Sequence, residues 1–189
     1  MKKTNQWDPA KPAAENAAAV LPVLAGTFFS SGKELAAATE ITPDALHAFR
    51  LSAKRFRYTL ELFRNCYGPS LEEKLESLAS VQQVLGELSD CAATRTLLND
   101  ERFAGFSLRQ EFFSHIDAIL AEKAAAFVKL WRSTFDTEAE QRRWIAYLHR
   151  PAARMEKKKG EAKPVGKGGK KRNGKNKAGP KTGKPGGAK

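Results

Sequence analysis

Residues 47–63 read HAFRLSAKRFRYTLELF, with one histidine and four basic residues set among aromatics and leucines. Thr42-Pro43-Asp44 precedes the stretch: an N-cap residue, a proline suited to the first helical position and an acid for the first turn. The pattern predicts a helix over Pro43–Cys66 with two unlike faces. With His47 at zero and about 100° per residue, Phe49, Ala53, Phe56, Leu60 and Phe63 fall between about 160° and 260°. Arg50, Lys54 and Arg57 lie at about −60°, −20° and −80°, beside His47 and opposite the aromatics. Tyr58, near 20°, continues the His47 face, and Arg55 stands on the flank near 80°. Leu51 and Leu62, near 40–60°, form a shoulder open to packing.

His47, Arg50, Lys54 and Arg57, spaced three, four and three residues apart, extend about 15 Å along the axis. That length suits an extended anion with repeating charges better than a compact one. Arg50 and Arg57 carry guanidinium forks that match phosphate oxygens, and Lys54 adds a point charge. A charge row on a helix is usually its solvated face, balanced by acids one turn away. Here no acid interrupts the row before Glu61.

Helical spacing recurs through the rest of the body, and nothing alternates with period two. Ser70 with Glu73, Ser107 with Gln110 and Thr137 with Glu140 read as capping boxes. They predict helices over Leu71–Leu88, Asp90–Asn99, Leu108–Phe135 and Glu138–His149, after an Ala-rich helix within Ala13–Ala38 with a break or bend near Pro22 and Gly26. Leu71, Leu75, Leu78, Leu85 and Leu88 form one apolar stripe; Phe112, Ile116, Ile119, Phe127, Leu130 and Trp131 form another. Trp131 and Trp144 read as apolar anchors, while Trp7 is left undecided between docking and disorder. Long amphipathic helices with short connections imply an all-α, antiparallel helical bundle.

The chain has 189 residues and a formal net charge of +12. Fourteen Lys/Arg and two acids lie between Arg154 and Lys189, so the tail carries the whole surplus. The nineteen basic and nineteen acidic residues of the body cancel. The reading divides the chain into an N-terminal segment with one Ala-rich helix (1–40), a helical bundle (41–150) and a Lys/Gly-rich tail (151–189). The tail lacks aromatics and predicts disorder, because it has too little apolar surface to offset its ordering entropy. A polycation of this kind attracts nucleic acid, anionic membrane or phosphate polymers without discriminating among them. Cys66 and Cys91 lack CxxC spacing and read as buried small hydrophobes of a reduced, cytoplasmic protein. The apolar runs read as too short to span a bilayer, so no membrane is expected as a partner.

His47-x-x-Arg50, Lys54-Arg55-x-Arg57-Tyr58 and Glu61-Leu62-Phe63 resemble the signature helix of the CHAD family, the conserved-histidine α-helical domain. Gln83, Leu85-Gly86 and Asp90 look like the family's Gln, Leu-Gly and Asp segment, and Leu108–Phe135 is similar to its closing helix. The resemblance covers roughly Thr42 to Phe135. It implies a helical domain that binds inorganic polyphosphate through a basic groove, often on polyphosphate granules. The anion contacts then fall on His47, Arg50, Lys54, Arg55 and Arg57. Asp90 reads as a helix cap, and Gly86 as a close-packing or helix-ending position. Members commonly hold two such repeats about a pseudo-twofold axis, whereas this chain shows one signature. A homodimer is one way to rebuild the groove; a single repeat acting alone is the other.

Three functions follow as expectations. The first is polyphosphate binding without catalysis or cofactor. The second is nonspecific nucleic-acid binding by the tail, which lacks aromatics for base stacking. The third, an enzyme, has little in its favour: His47, His115 and His149 lack metal-ligand spacing, and neither a nucleophile elbow nor a P-loop is present.

Overall fold

The computed structural model describes residues 7–161. Among these there are five α-helices and no strand: α1 (Ala13–Ala37), α2 (Pro43–Leu62), α3 (Leu71–Leu98), α4 (Arg109–Thr134) and α5 (Glu138–Glu161). Single 3₁₀ turns at Arg64–Cys66 and Glu101–Phe103 sit in the connections after α2 and α3. Helices α1 to α4 pack in sequence, α4 returns to α1 to close the bundle, and α5 lies along α1. The all-α bundle expected from the periodicity is the observed architecture.

The core is aromatic. Phe28 on α1 meets Phe49 and Phe56 of α2 at 5.5 Å between ring centroids, and Trp131 and Phe135 at 5.4 Å. Trp144 of α5 touches Phe29, Phe56 and Phe135. Trp131 and Trp144 are therefore the anchors that the sequence suggested. Gly32 supplies the closest approach: a Cβ there would lie 2.1 Å from the Trp131 ring, so only glycine admits that ring. The leucine stripe of α3 is buried throughout. Trp7 docks on Phe63 at 5.8 Å. Asn16 pins the segment beside it, accepting from the Asp8 amide and donating to the carbonyls of Asp8 and Lys11.

Several local expectations are corrected. Helix α1 runs unbroken through Pro22 and Gly26. Proline inside a helix costs about 3 kcal/mol, but Leu21, Ala25 and Phe28 are fully buried on either side and offset it. α1 is also long and apolar enough, by length and composition, to cross a membrane, contrary to the run-length reading. In the structure it is a core helix contacting α2, α4 and α5.

Helix α3 continues from Leu88 through Asp90 to Leu98 without a break, so Asp90 is an exposed mid-helix residue and not a cap. Leu88 stays in the core, and ion pairs Glu87–Lys123 and Arg95–Asp117 tie this half of α3 to α4. Gly86 has open space where a Cβ would stand, so it is neither a close-packing nor a helix-ending glycine. The helix over Pro43–Cys66 ends at Leu62 and gives way to the 3₁₀ turn. On α4, Phe127 and Trp131 are buried, whereas Phe112 is exposed, because the α3–α4 hairpin runs on past the core.

Thr42 and Thr137 cap as expected, accepting from Ala45 and Glu140 at 3.2 Å. Ser70 and Ser107 do not, and the fourth helix starts one residue late. Helix α5 passes the expected boundary at residue 150 and continues through Pro151 to Glu161. The tail expected to be disordered from 151 is thus helical over its first residues; 162–189 lie outside the described residues. Cys66 and Cys91 are free but only half-buried. Burial still pushes the Cys66 thiol pKa up.

Candidate anion-binding face of α2

Five side chains fix the rotation of α2 about its own axis. Leu46, Phe49, Ala53, Phe56 and Leu60 are buried, spaced three, four, three and four residues apart. Their contacts with Phe28, Trp131 and Trp144 leave the opposite side of the helix facing outward. His47 is exposed there, and Arg50, Lys54 and Arg57 are half-buried beside it. The structure therefore brings together four of the five expected anion contacts in one row.

The members of the row differ in their partners. Arg57 leans toward α3, where its guanidinium donates to Gln82 Oε1 at 2.8 Å. Its Nε lies 3.0 Å from Glu61 Oε1, an ion pair whose geometry falls short of a hydrogen bond. Among the described residues, no carboxylate is ion-paired with His47, Arg50, Lys54 or Arg55. Arg50 Nε, Arg57 Nε and Gln82 Nε2 are buried donors without a hydrogen-bond acceptor. Leaving such a group unmet costs about 1–3 kcal/mol, and charged donors left this way favour an acceptor that comes from outside.

Arg55 is exposed but stands apart from the row. Leu51, Tyr58 and Leu62 project between it and the others, with exposures of 53%, 54% and 76%. They form a bare apolar ridge on the shoulder that the sequence left open to packing.

Gln82 is the residue that sequence reasoning missed. The motif glutamine was placed at Gln83, which is exposed and donates to Glu87 on its own helix. A shift of one residue turns a side chain by about 100°, and it is Gln82 that bridges to Arg57. The signal was available, since Gln-x-x-Leu-Gly spacing begins at Gln82.

Among the described residues, no group of three or more His, Cys, Asp or Glu side chains could hold a metal ion. His47, His115 and His149 are all exposed, on three different helices.

Comparison with protein families matches the model for the CHAD domain to residues 1–99, just over half of the 189-residue chain. The match takes in α1, which the sequence resemblance left aside, and ends at Asn99, so α4 lies outside it. No curated protein and no solved structure matches the chain.

Proposed function

The chain belongs to the CHAD-domain family, and on that premise we propose that it binds inorganic polyphosphate through the cationic face of α2, without catalysis, at polyphosphate granules in the cytoplasm. The observation that carries the reading is the row itself. His47, Arg50 and Lys54 stand along one outward face without ion pairs, and Arg50 and Arg57 keep buried donors that lack acceptors. A linear chain of phosphates offers acceptors at short, regular intervals along the roughly 15 Å of the row. Arg55 contributes from the far side of the ridge, as a long-range charge more than as a direct contact. Gln82 holds Arg57 in the row and offers a further donor.

The test is a salt titration of binding to long-chain polyphosphate by the full chain and by a His47→Gln/Arg50→Gln/Lys54→Gln variant. By analogy with nucleic-acid phosphates, each lost contact lowers the slope of log K against log salt by about 0.7–0.9. The variant is therefore expected to lose about two units of slope and at least tenfold in affinity. Equal slopes would refute the site. Incubation of the polymer with the chain and Mg²⁺ tests the non-catalytic part, and shortening of the polymer would overturn it.

A second reading rests on residues 162–189, which hold ten Lys/Arg and neither an acid nor an aromatic. Such a segment binds DNA and polyphosphate through charge alone. If DNA competes equally for wild type and the row variant, the tail and not α2 selects the ligand.

A further inference from the structure

A phosphate polymer gains nothing from leucine, so the ridge of Leu51, Tyr58 and Leu62 is not explained by anion binding. Three large side chains of α2 are more than half exposed, whereas its other large apolar side chains, Leu46, Phe49, Phe56 and Leu60, are buried. Their order matters. Leu51, Tyr58 and Leu62 are separated by seven and four residues, spacings that keep them on one helix–helix seam. The seam runs about 16 Å, or three turns. Lys54 and His47 border it on one side, at about −20° and 0°, and Arg55 borders it on the other, near 80°. Glu61 is held by Arg57, and Asp44 lies about 10 Å before Leu51, beyond the ridge.

We propose that this ridge is the docking seam for an amphipathic helix of a partner protein whose apolar stripe is flanked by acidic residues. The occupant follows from the charges. A second copy of the chain would set Arg55 and Lys54 against their own counterparts, which is repulsive. An acid-flanked helix places its apolar stripe on Leu51, Tyr58 and Leu62, and its carboxylates on Lys54 and Arg55. An apolar helix laid in a groove with charged edges is a common mode of recognition. The inference stands on the ridge and does not depend on polyphosphate.

The probe is a labelled 18-residue helical peptide with leucines at alternating three- and four-residue spacing and glutamates on both flanks. Its binding to the full chain is read by fluorescence anisotropy. A scrambled peptide of the same composition measures what the basic tail contributes by charge alone, and a lysine-flanked version tests the sign. The patterned acidic peptide is expected to bind at least tenfold more tightly than the scramble. Leu51→Ser/Leu62→Ser should erase that margin while leaving the melting temperature unchanged, since both side chains are exposed. Equal binding of patterned and scrambled peptides overturns the proposal, as does an unchanged margin in the variant or equally tight binding of the lysine-flanked peptide. Two other results would assign the ridge elsewhere and also overturn it. One is sedimentation with phosphatidylglycerol vesicles that depends on Leu51 and Leu62 while the peptide shows no preference. The other is a dimer in light scattering that the variant abolishes.

Discussion

Replacing Gly32 by alanine should destabilise the bundle, against the usual direction of a glycine-to-alanine change in a helix. In an open helix interior the substitution gains about 1 kcal/mol. At Gly32 the new methyl would stand 2.1, 2.3 and 2.6 Å from three carbons of the Trp131 ring. Ordinary contact requires the two to separate by more than an ångström. The ring has nowhere to go: Trp131 is fully buried and packed against Phe28, Phe29, Phe49, Phe127 and Phe135. Overpacking of a dense core costs about 1–3 kcal/mol and sometimes more. With overlap this deep the upper end applies, so the net loss is about 2 kcal/mol. At about 2–4 °C per kcal/mol for a chain of this size, the melting temperature should fall by about 4–8 °C. Gly86→Ala is the control, because a Cβ there meets nothing within 4 Å. It should show the propensity gain alone, a rise of about 2–4 °C. Thermal unfolding followed by circular dichroism reads both. Equal shifts at the two positions, or a stabilised Gly32→Ala protein, would refute the claim that α1 and α4 close on that ring.

Asn16→Ala removes the bonds that hold Asp8 and Lys11, and should cost about 2 kcal/mol; thermal melts check this, and tryptophan emission should shift red as Trp7 leaves Phe63. Tyr67 is buried, its hydroxyl donates to the Leu148 carbonyl at 2.8 Å, and burial raises its pKa well above the ordinary tyrosine value. Above about pH 10 the unfolded chain loses this proton while the folded one keeps it, so stability falls as pH rises. Tyr67→Phe should flatten that alkaline loss in urea melts between pH 9 and 11, while lowering stability near neutrality by about 1 kcal/mol. Gln82→Glu keeps the acceptor beside Arg57 and adds a charge. It should lower the polyphosphate salt slope by about one unit, the amount expected when one cation is lost to an internal pair.

The helices were legible from sequence because each turns one apolar stripe inward, and a stripe survives errors at its ends. The ends themselves were less legible, since a serine three residues before a glutamate or glutamine does not by itself form a cap. At Ser70 the carbonyls of Gly68 and Pro69 already accept from the Leu71 and Glu72 amides. The serine hydroxyl is within 3.5 Å of the Tyr147 hydroxyl instead. At Ser107 the Phe106 carbonyl takes the Arg109 amide in the same way. Asp90 looked like a start signal, but the burial of Leu88 and the pairing of Arg95 with Asp117 carry the helix straight through it. In the candidate site, the row on α2 followed from angles alone. What angles on one helix could not give was its cross-helix partner. Gln82 and Gln83 carry the same side chain; the Gln-x-x-Leu-Gly spacing singles out Gln82, and the packing of α3 on α2 is what sets it against Arg57.

Magnitudes also explain why a helix so rich in positive charge still packs. Arg50–Lys54 and Lys54–Arg57 are neighbours one turn apart, with side chains starting about 5–6 Å from one another. In water, two unit charges at that distance repel by about 0.7 kcal/mol, so the row costs about 1–2 kcal/mol. The opposite face buries Leu46, Phe49, Phe56 and Leu60 almost completely. At about 1.5–3 kcal/mol each, those four outweigh the repulsion several times over. The core therefore holds the cations in a row they would not adopt for their own sake, and an anion that crosses them relieves the cost. Neutralising the row should leave the bundle as stable as before or slightly more so. Lost polymer binding in such a variant then reports the missing charges and not an unfolded protein.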